Sequence, residues 1–251
     1  MNKPIIVTAL YDIERDKWKE YNLSIDTYLY WMNNLLQVKN KIVCYTEKLK
    51  GEIEALRPSN IDIIELRKPV LYSTLKHFYE LNILMNSVEF KNKVVFPQVP
   101  EMCEVWYNIL MFNKLRWMLD ASTITDGTHY VWVDAGCFRD EDASEYNVKW
   151  PNPAKLSDKP MFFSHNTPVH IYKNDEDHSL SQFRNIQGGC FSIPKKDLKW
   201  MCDAFAYKVE ACIMKGYIGS DEKIFDLMWN DNKDKIKLIK SDWRKYFDIL
   251  S

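Results

Sequence analysis

The 251-residue sequence holds only seven glycines, and none falls in the loop Leu10–Lys17 that follows the first apolar run. That excludes a Gly-rich phosphate cradle at the N-terminus. A surplus of one charge is also missing. Lys plus Arg number 34 against 35 Asp plus Glu, so nothing asks for a polyanionic partner, and no nucleic acid is expected. No cysteine pair has C-x-x-C spacing and no cysteine has zinc-ligand spacing to a histidine, which removes the common redox and zinc frameworks. No charged start runs into a long apolar segment, so neither a signal peptide nor a membrane-spanning helix is expected. There is no internal repeat and no low-complexity linker. The six cysteines, at 44, 103, 137, 190, 202 and 212, include several inside apolar runs. They are expected to be buried, reduced thiols of a cytoplasmic protein.

What is present is an alternation of apolar runs and helical spacing. The run Tyr130–Val133 stops at Asp134 and is followed by Ala135 and Gly136, as a buried parallel strand with a carboxylate at its C-terminal end would be. Ahead of it, Ile5–Leu10, Lys41–Thr46 and Ile61–Leu66 read as strands. A helix after Ser24 and a short one at Glu52–Leu56 separate them. Leu71–Phe90 and Glu101–Ala121 read as two long helices, with Lys114 and Arg116 at the margin of the second. Beyond Asp140 come a Pro-broken surface segment, short strands at Met161–Ser164 and Val169–Tyr172, and an acidic loop at Asn174–His178. Then follow a strand Ile186–Pro194, a helix Lys196–Met214, a helix opened by Ser220 with two acids in its first turn, and a last strand Ile236–Ile239. The order predicts an α/β fold, one domain with a mostly parallel central sheet flanked by helices. The nine Trp and fourteen Tyr are expected to serve mostly as core.

Four features stand in order: I-I-V-T-A-L-Y-D-I at the start, W-V-D-A-G after a long helix, Q-G-G-C-F-S, and the acidic pair in G-S-D-E-K-I-F. This order resembles nucleotide-sugar glycosyltransferases with the GT-A (Rossmann-like) fold. More narrowly it resembles the bacterial HtrL/YibB/WlaTC family, linked to surface-polysaccharide synthesis. The motif V-T-A-x-x-D-I-x-R followed by Trp is matched by Val7, Thr8, Ala9, Asp12, Ile13, Arg15 and Trp18. The motif W-x-D-A-G is matched by Trp132, Asp134, Ala135 and Gly136.

The resemblance implies a UDP-sugar or related donor held by Thr8, Ala9, Tyr11, Asp12, Arg15, Lys114, Asp134, Ala135 and Gly136 in an N-terminal half, residues 1–140. The acceptor is a saccharide, free or lipid-linked, met by Gly188 and Gly189 in residues 141–251. GT-A enzymes usually carry D-x-D, whose second Asp binds Mn2+ or Mg2+. Here that position is Gly136, leaving Asp134 as the carried-over metal ligand, with Asp140, Asp142, His165 and His170 as supplementary candidates.

The leaving diphosphate needs a cation, and Arg15 is the first choice ahead of Lys114, Arg116 and Arg139 because a guanidinium matches phosphate oxygens in pairs. An inverting transfer needs a base, and Asp221 is placed slightly ahead of Glu222. The bland alternatives are surface charges for the cations and helix-dipole partners for the acids. The basic tail with Trp243, Tyr246 and Phe247 is either a peripheral membrane contact or, preferably, a solvated edge strand. Two other functions fit the same pattern. One is a non-catalytic nucleotide- or saccharide-binding module. The weaker one is a nucleotidyltransferase, which normally has a Gly-rich N-terminal loop.

Overall fold

The apolar runs are the strands of one sheet: β1 (Pro4–Ala9), β2 (Ile42–Thr46), β3 (Ile61–Glu65), β4 (His129–Val133), β5 (Met161–Ser164), β6 (Ile186–Pro194) and β7 (Lys237–Lys240). Their order across the sheet is β3-β2-β1-β4-β6-β5-β7. Neighbours are parallel except at β4–β6 and β6–β5, so β6 alone runs against the rest. The computed structural model describes residues 3–56, 61–65, 78–139, 150–165, 172–181, 184–242 and 245–251.

Side chains alternate across a strand, and the central strands feed two cores. Ile5, Val7, Val43, Tyr45, Tyr130 and Trp132 enter one. Ile6, Ile42, Cys44, Val131 and Val133 enter the other. The first core is covered by helices Phe78–Asn86, Val105–Phe112, Lys114–Ile124, Leu198–Met214 and Asp221–Asp231, and the second by Ile25–Leu35, Lys50–Leu56 and Tyr246–Ile249. The expected α/β architecture is the observed one. Both faces of the sheet are buried, which is why its central strands read as unbroken apolar runs.

Several expectations are corrected. The stretch Glu101–Ala121 is three helices, Pro100–Cys103, Val105–Phe112 and Lys114–Ile124. Glu104 is extended at the first break. At the second, the Asn113 amide donates back to the Ile109 carbonyl at 2.7 Å, a side-chain bond that competes with the helical ladder. The acidic loop is a helix, Asp175–Leu180. Asn174 caps it by accepting the Asp177 amide, and three acids in its first turn suit the helix dipole. In the stretch Leu71–Phe90 the chain forms Phe78–Asn86 and Val88–Lys93, restarted by the cap of Ser87 on the Phe90 amide; residues 71–77 lie outside the described residues. So do 169–171 of the strand expected at Val169–Tyr172, and Tyr172 itself is in no strand. Tyr246 and Phe247, the rings a membrane contact would use, are buried in the second core, while Trp243 lies outside the described residues. No helix among the described residues is long and apolar enough to cross a membrane.

All six cysteines are free thiols. Cys44, Cys137, Cys190 and Cys212 are buried, Cys202 is half-buried and Cys103 is exposed. Burial pushes the Cys44 and Cys137 thiols up to about 12, which suppresses the reactive thiolate. In native protein, maleimide at neutral pH is expected to modify Cys103 first and to leave the four buried thiols intact until denaturant is added. Peptide mass spectrometry reads the sites, and early modification of Cys44 or Cys190 would contradict this packing.

Candidate functional site

β1 and β4 are parallel neighbours at the centre of the sheet, and the chain leaves β1 toward β2 on the opposite side. Their C-terminal ends therefore open at a switch point, where such sheets form a crevice. A cleft of about 250 Å³ lies there. It is lined by Ala9, Tyr11, Asp12 and Arg15 from the end of β1, by Asp134, Ala135 and Gly136 from the end of β4, and by Gly189 and Glu222. Thr8, Lys114, Gly188 and Asp221, also named from the sequence, do not line it. Thr8 is fully buried.

Lys114 is at the centre of this arrangement, not at a helix margin. It is 1% exposed. Its Nζ lies 3.0 Å from Asp134 Oδ1, 2.7 Å from Asp221 Oδ2 and donates to the Gly188 carbonyl at 3.0 Å. An ammonium has three donors, and three acceptors surround it. Burial alone would push its pKa down, but the two carboxylates outweigh burial and hold it above the ordinary lysine range. Arg116 faces outward and pairs with Asp120 at 3.0 Å.

Gly188 explains how the cluster closes. A Cβ there would lie 2.7 Å from Asp221 Oδ2 and 2.9 Å from Glu222 Cγ. The close approach that this glycine permits is thus made by the acids of helix Asp221–Asp231. That helix begins after Ser220 as expected, but the serine side chain makes no cap bond.

Asp134 is held by Trp132, whose Nε1 donates to Oδ1 at 2.6 Å, and by Lys114. Its Oδ2 has no partner among the described residues, and about 33% of the side chain is exposed, facing the cleft. Burial raises its carboxyl above the ordinary range, with Lys114 opposing. Gly136 lets the rings of Tyr28 and Trp31 approach to 3.1 and 3.2 Å of where a Cβ would stand. Tyr28 in turn accepts a hydrogen bond from Arg15. Arg15 also donates to the Tyr21 carbonyl at 2.8 Å and lies 5.2 Å from the Trp18 ring and 5.8 Å from that of Tyr107. Its guanidinium is thus fixed by neutral groups. Arg139 lines the same cleft and lies over Trp31. Trp117, also in the cleft lining, stacks with Tyr11, Tyr45 and Trp132 at 5.6–5.8 Å, a rigid aromatic wall.

The adjacent acids differ. Asp221 is 3% exposed and tied to Lys114. Glu222 reaches the cleft wall. It accepts the Gly188 amide at 2.8 Å and pairs with Arg184 at 2.9 Å. Burial pushes its carboxyl up to about 7, with Arg184 pulling the other way. Arg184 and Tyr28 were not singled out by sequence reasoning. Arg184 meets Glu222 from 38 positions away (222 minus 184), so no local spacing signals it. Tyr28 reads as one more apolar position on an amphipathic helix.

Among the described residues no group of three or more His, Cys, Asp or Glu converges. The space between Asp134 and Asp221 is spanned by the Lys114 ammonium. Of the supplementary ligands, Asp140, Asp142 and His170 lie outside the described residues, and His165 does not line the cleft.

The family model of HtrL_YibB, bacterial proteins of unknown function, matches residues 2–251. The chain belongs to the HtrL/YibB family. No curated protein matches it. Among solved structures this HtrL/YibB chain is similar to 4-diphosphocytidyl-2C-methyl-D-erythritol synthase from Anaerococcus prevotii, with 11% identity, a TM-score of 0.47, and 97% of this chain and 88% of the other covered. It is also similar to Rv0371c from Mycobacterium tuberculosis, solved as a complex with manganese, with 8% identity, a TM-score of 0.42, and 99% and 98% covered. Likenesses this loose say nothing of substrate or metal.

Removing the Lys114 charge tests the cluster. Lys114→Met leaves the buried Asp221 and the partly buried Asp134 without their cation and is expected to cost about 3–5 kcal/mol. Combining it with Asp134→Asn and Asp221→Asn is expected to recover much of that loss. Urea unfolding measures both, and a single-variant loss under about 1 kcal/mol would show that the cluster does not hold the site together.

Proposed function

We propose that this HtrL/YibB protein is a glycosyltransferase that moves a sugar from a nucleotide-sugar donor to a saccharide acceptor in surface-glycan synthesis. The observation that carries this is the position of Glu222. Its carboxyl, pushed up to about 7, stands at the cleft also lined by Asp134 Oδ2 and Arg15. That is a base poised near neutral pH, a free carboxylate oxygen suited to sugar or ribose hydroxyls, and a guanidinium for a diphosphate.

The geometry supports the following roles. The donor lies in the cleft between the ends of β1 and β4, its hydroxyls donating to Asp134 Oδ2 and its diphosphate beside Arg15. The acceptor hydroxyl attacks the anomeric carbon, its proton passes to Glu222, and the bond to the diphosphate oxygen breaks. Charge that develops on the leaving oxygens is met by Arg15, which is held by tyrosine groups and carries no competing carboxylate among the described residues. On this reading the N-terminal half supplies the donor side and Glu222 meets the acceptor. Lys114 stays beneath the cleft floor, where it positions Asp134.

Two measurements test this. UDP, GDP, CDP or CMP is expected to raise the melting temperature of the protein at millimolar concentration, and Asp134→Ala is expected to weaken that binding; stabilisation by none of them would refute the proposal. Glu222→Gln is expected to keep donor binding and to lose roughly 10²–10⁴-fold in rate. Glu222 accepts a proton only when ionised, so the wild-type rate should rise with pH through about 7, and this limb should vanish in the variant. The same shift, from 4.5 to about 7, makes Glu222 stabilise the fold below its unfolded pKa and lose that contribution as pH rises through the folded one. Nucleotide binding without transfer to any acceptor would instead mark a binding module.

A further inference from the structure

Beside the donor cleft lies a second cavity of about 370 Å³, and Arg15 and Tyr107 line both. Arg184, which lines the second cavity, ion-pairs with Glu222, which lines the first. The proposed base therefore stands at the boundary between the two spaces. An acceptor in the second cavity would present its hydroxyl to Glu222 from the side opposite the donor.

The charges of the second cavity are unbalanced. Its lining contains Arg15, Arg184 and Lys223 against one acid, Glu101. Arg184 is matched by Glu222 at 2.9 Å and Glu101 at 3.6 Å. Arg15 has neutral oxygen partners only. Lys223 is 3% exposed, and its Nζ donates to the Ser181 hydroxyl at 3.1 Å, with no carboxylate within ion-pair distance among the described residues. Ser220, 4% exposed, lines the same wall and leaves its hydroxyl unused as a cap. A buried ammonium with no carboxylate in ion-pair range is costly, and the Ser220 hydroxyl on the same wall adds a second donor.

We infer that this cavity is the acceptor subsite and that it takes a saccharide carrying an anionic group, a carboxylate or a phosphate, seated against Lys223 and Ser220. The inference rests on the transferase reading, because it assigns the acceptor of that same site.

Binding separates the two. UDP is added first to wild-type protein. If UDP, GDP, CDP and CMP all fail to bind, the transferase reading fails; if one of them binds, it is the nucleotide loaded and the acceptor inference is tested alone. Methyl glucoside, methyl glucuronoside and glucose 6-phosphate are then titrated by calorimetry into the nucleotide-loaded protein. At least one charged sugar is expected to bind about 10-fold or more tightly than the neutral one, the scale of one charge-assisted hydrogen bond. The carboxylate and phosphate arms show which anion fits. Lys223→Met, with folding checked by its thermal melt, is expected to bring the charged and neutral sugars within about 3-fold of each other, and Lys223→Arg to retain most of the preference. Should Lys223→Met not fold, the wild-type comparison decides by itself. Equal binding of neutral and charged sugars, binding of none, or an undiminished preference in folded Lys223→Met overturns the inference.

Discussion

A single buried ammonium ties the site together. Lys114 takes one contact each from the end of β4, the start of β6 and the first turn of helix Asp221–Asp231. A lysine taken out of water this completely is tolerable only when its donors are all met. The cluster is therefore cooperative. Loss of any one partner leaves charge stranded in a region that water does not reach. Segments up to 107 positions apart (221 minus 114) are held in one geometry, and the cleft above them inherits that rigidity.

The cluster also sorts the acids by role. Successive residues of a helix point about 100° apart, so Asp221 and Glu222, which both crowd Gly188, carry their carboxylates to different cations. Asp221 turns down to Lys114, and Glu222 turns to the cleft wall, where burial and an arginine act on its carboxyl in opposite directions. Asp134 divides the same way within one side chain, one oxygen fixed by Trp132 and Lys114 and the other left open. An ammonium set among these groups gives the floor a charge centre made of protein. The aromatic stack around Trp117 stiffens the wall without adding charge, so the cleft has one stiff apolar side and one polar side. Arg15, braced by rings and neutral oxygens, joins the two cavities, and Glu222 is at their seam.

Much of the fold was legible. β1, β2, β4 and β6 were read within a residue or two because burial on both faces leaves contiguous apolar runs. Ser24 was read as a helix opener, and it caps by accepting the Thr27 amide. The helical breaks at Glu104 and Asn113 were missed because apolar spacing continues across them. The capped helix Asp175–Leu180 was missed because its acids look like a loop until Asn174 is seen to cap it. Of the candidate site, Asp12, Arg15 and Asp134 were named from motifs that sit at strand ends. Lys114 was named but misplaced, since periodicity places a side chain on a face and cannot say that carboxylates wait there.

The sequence by itself determined the family, the α/β alternation and a carboxylate at the end of a central strand. Each is written in contiguous residues, through apolar runs and short motifs. Only the tertiary structure decided that Lys114 is buried between Asp134 and Asp221, that Glu222 and not Asp221 reaches the cleft, and that Arg184 belongs to the site. Those outcomes depend on the strand order and on which segments meet across the sheet. Ion pairs between distant positions leave no mark in local spacing, because their energy comes from burial and proximity that exist only once the chain has folded.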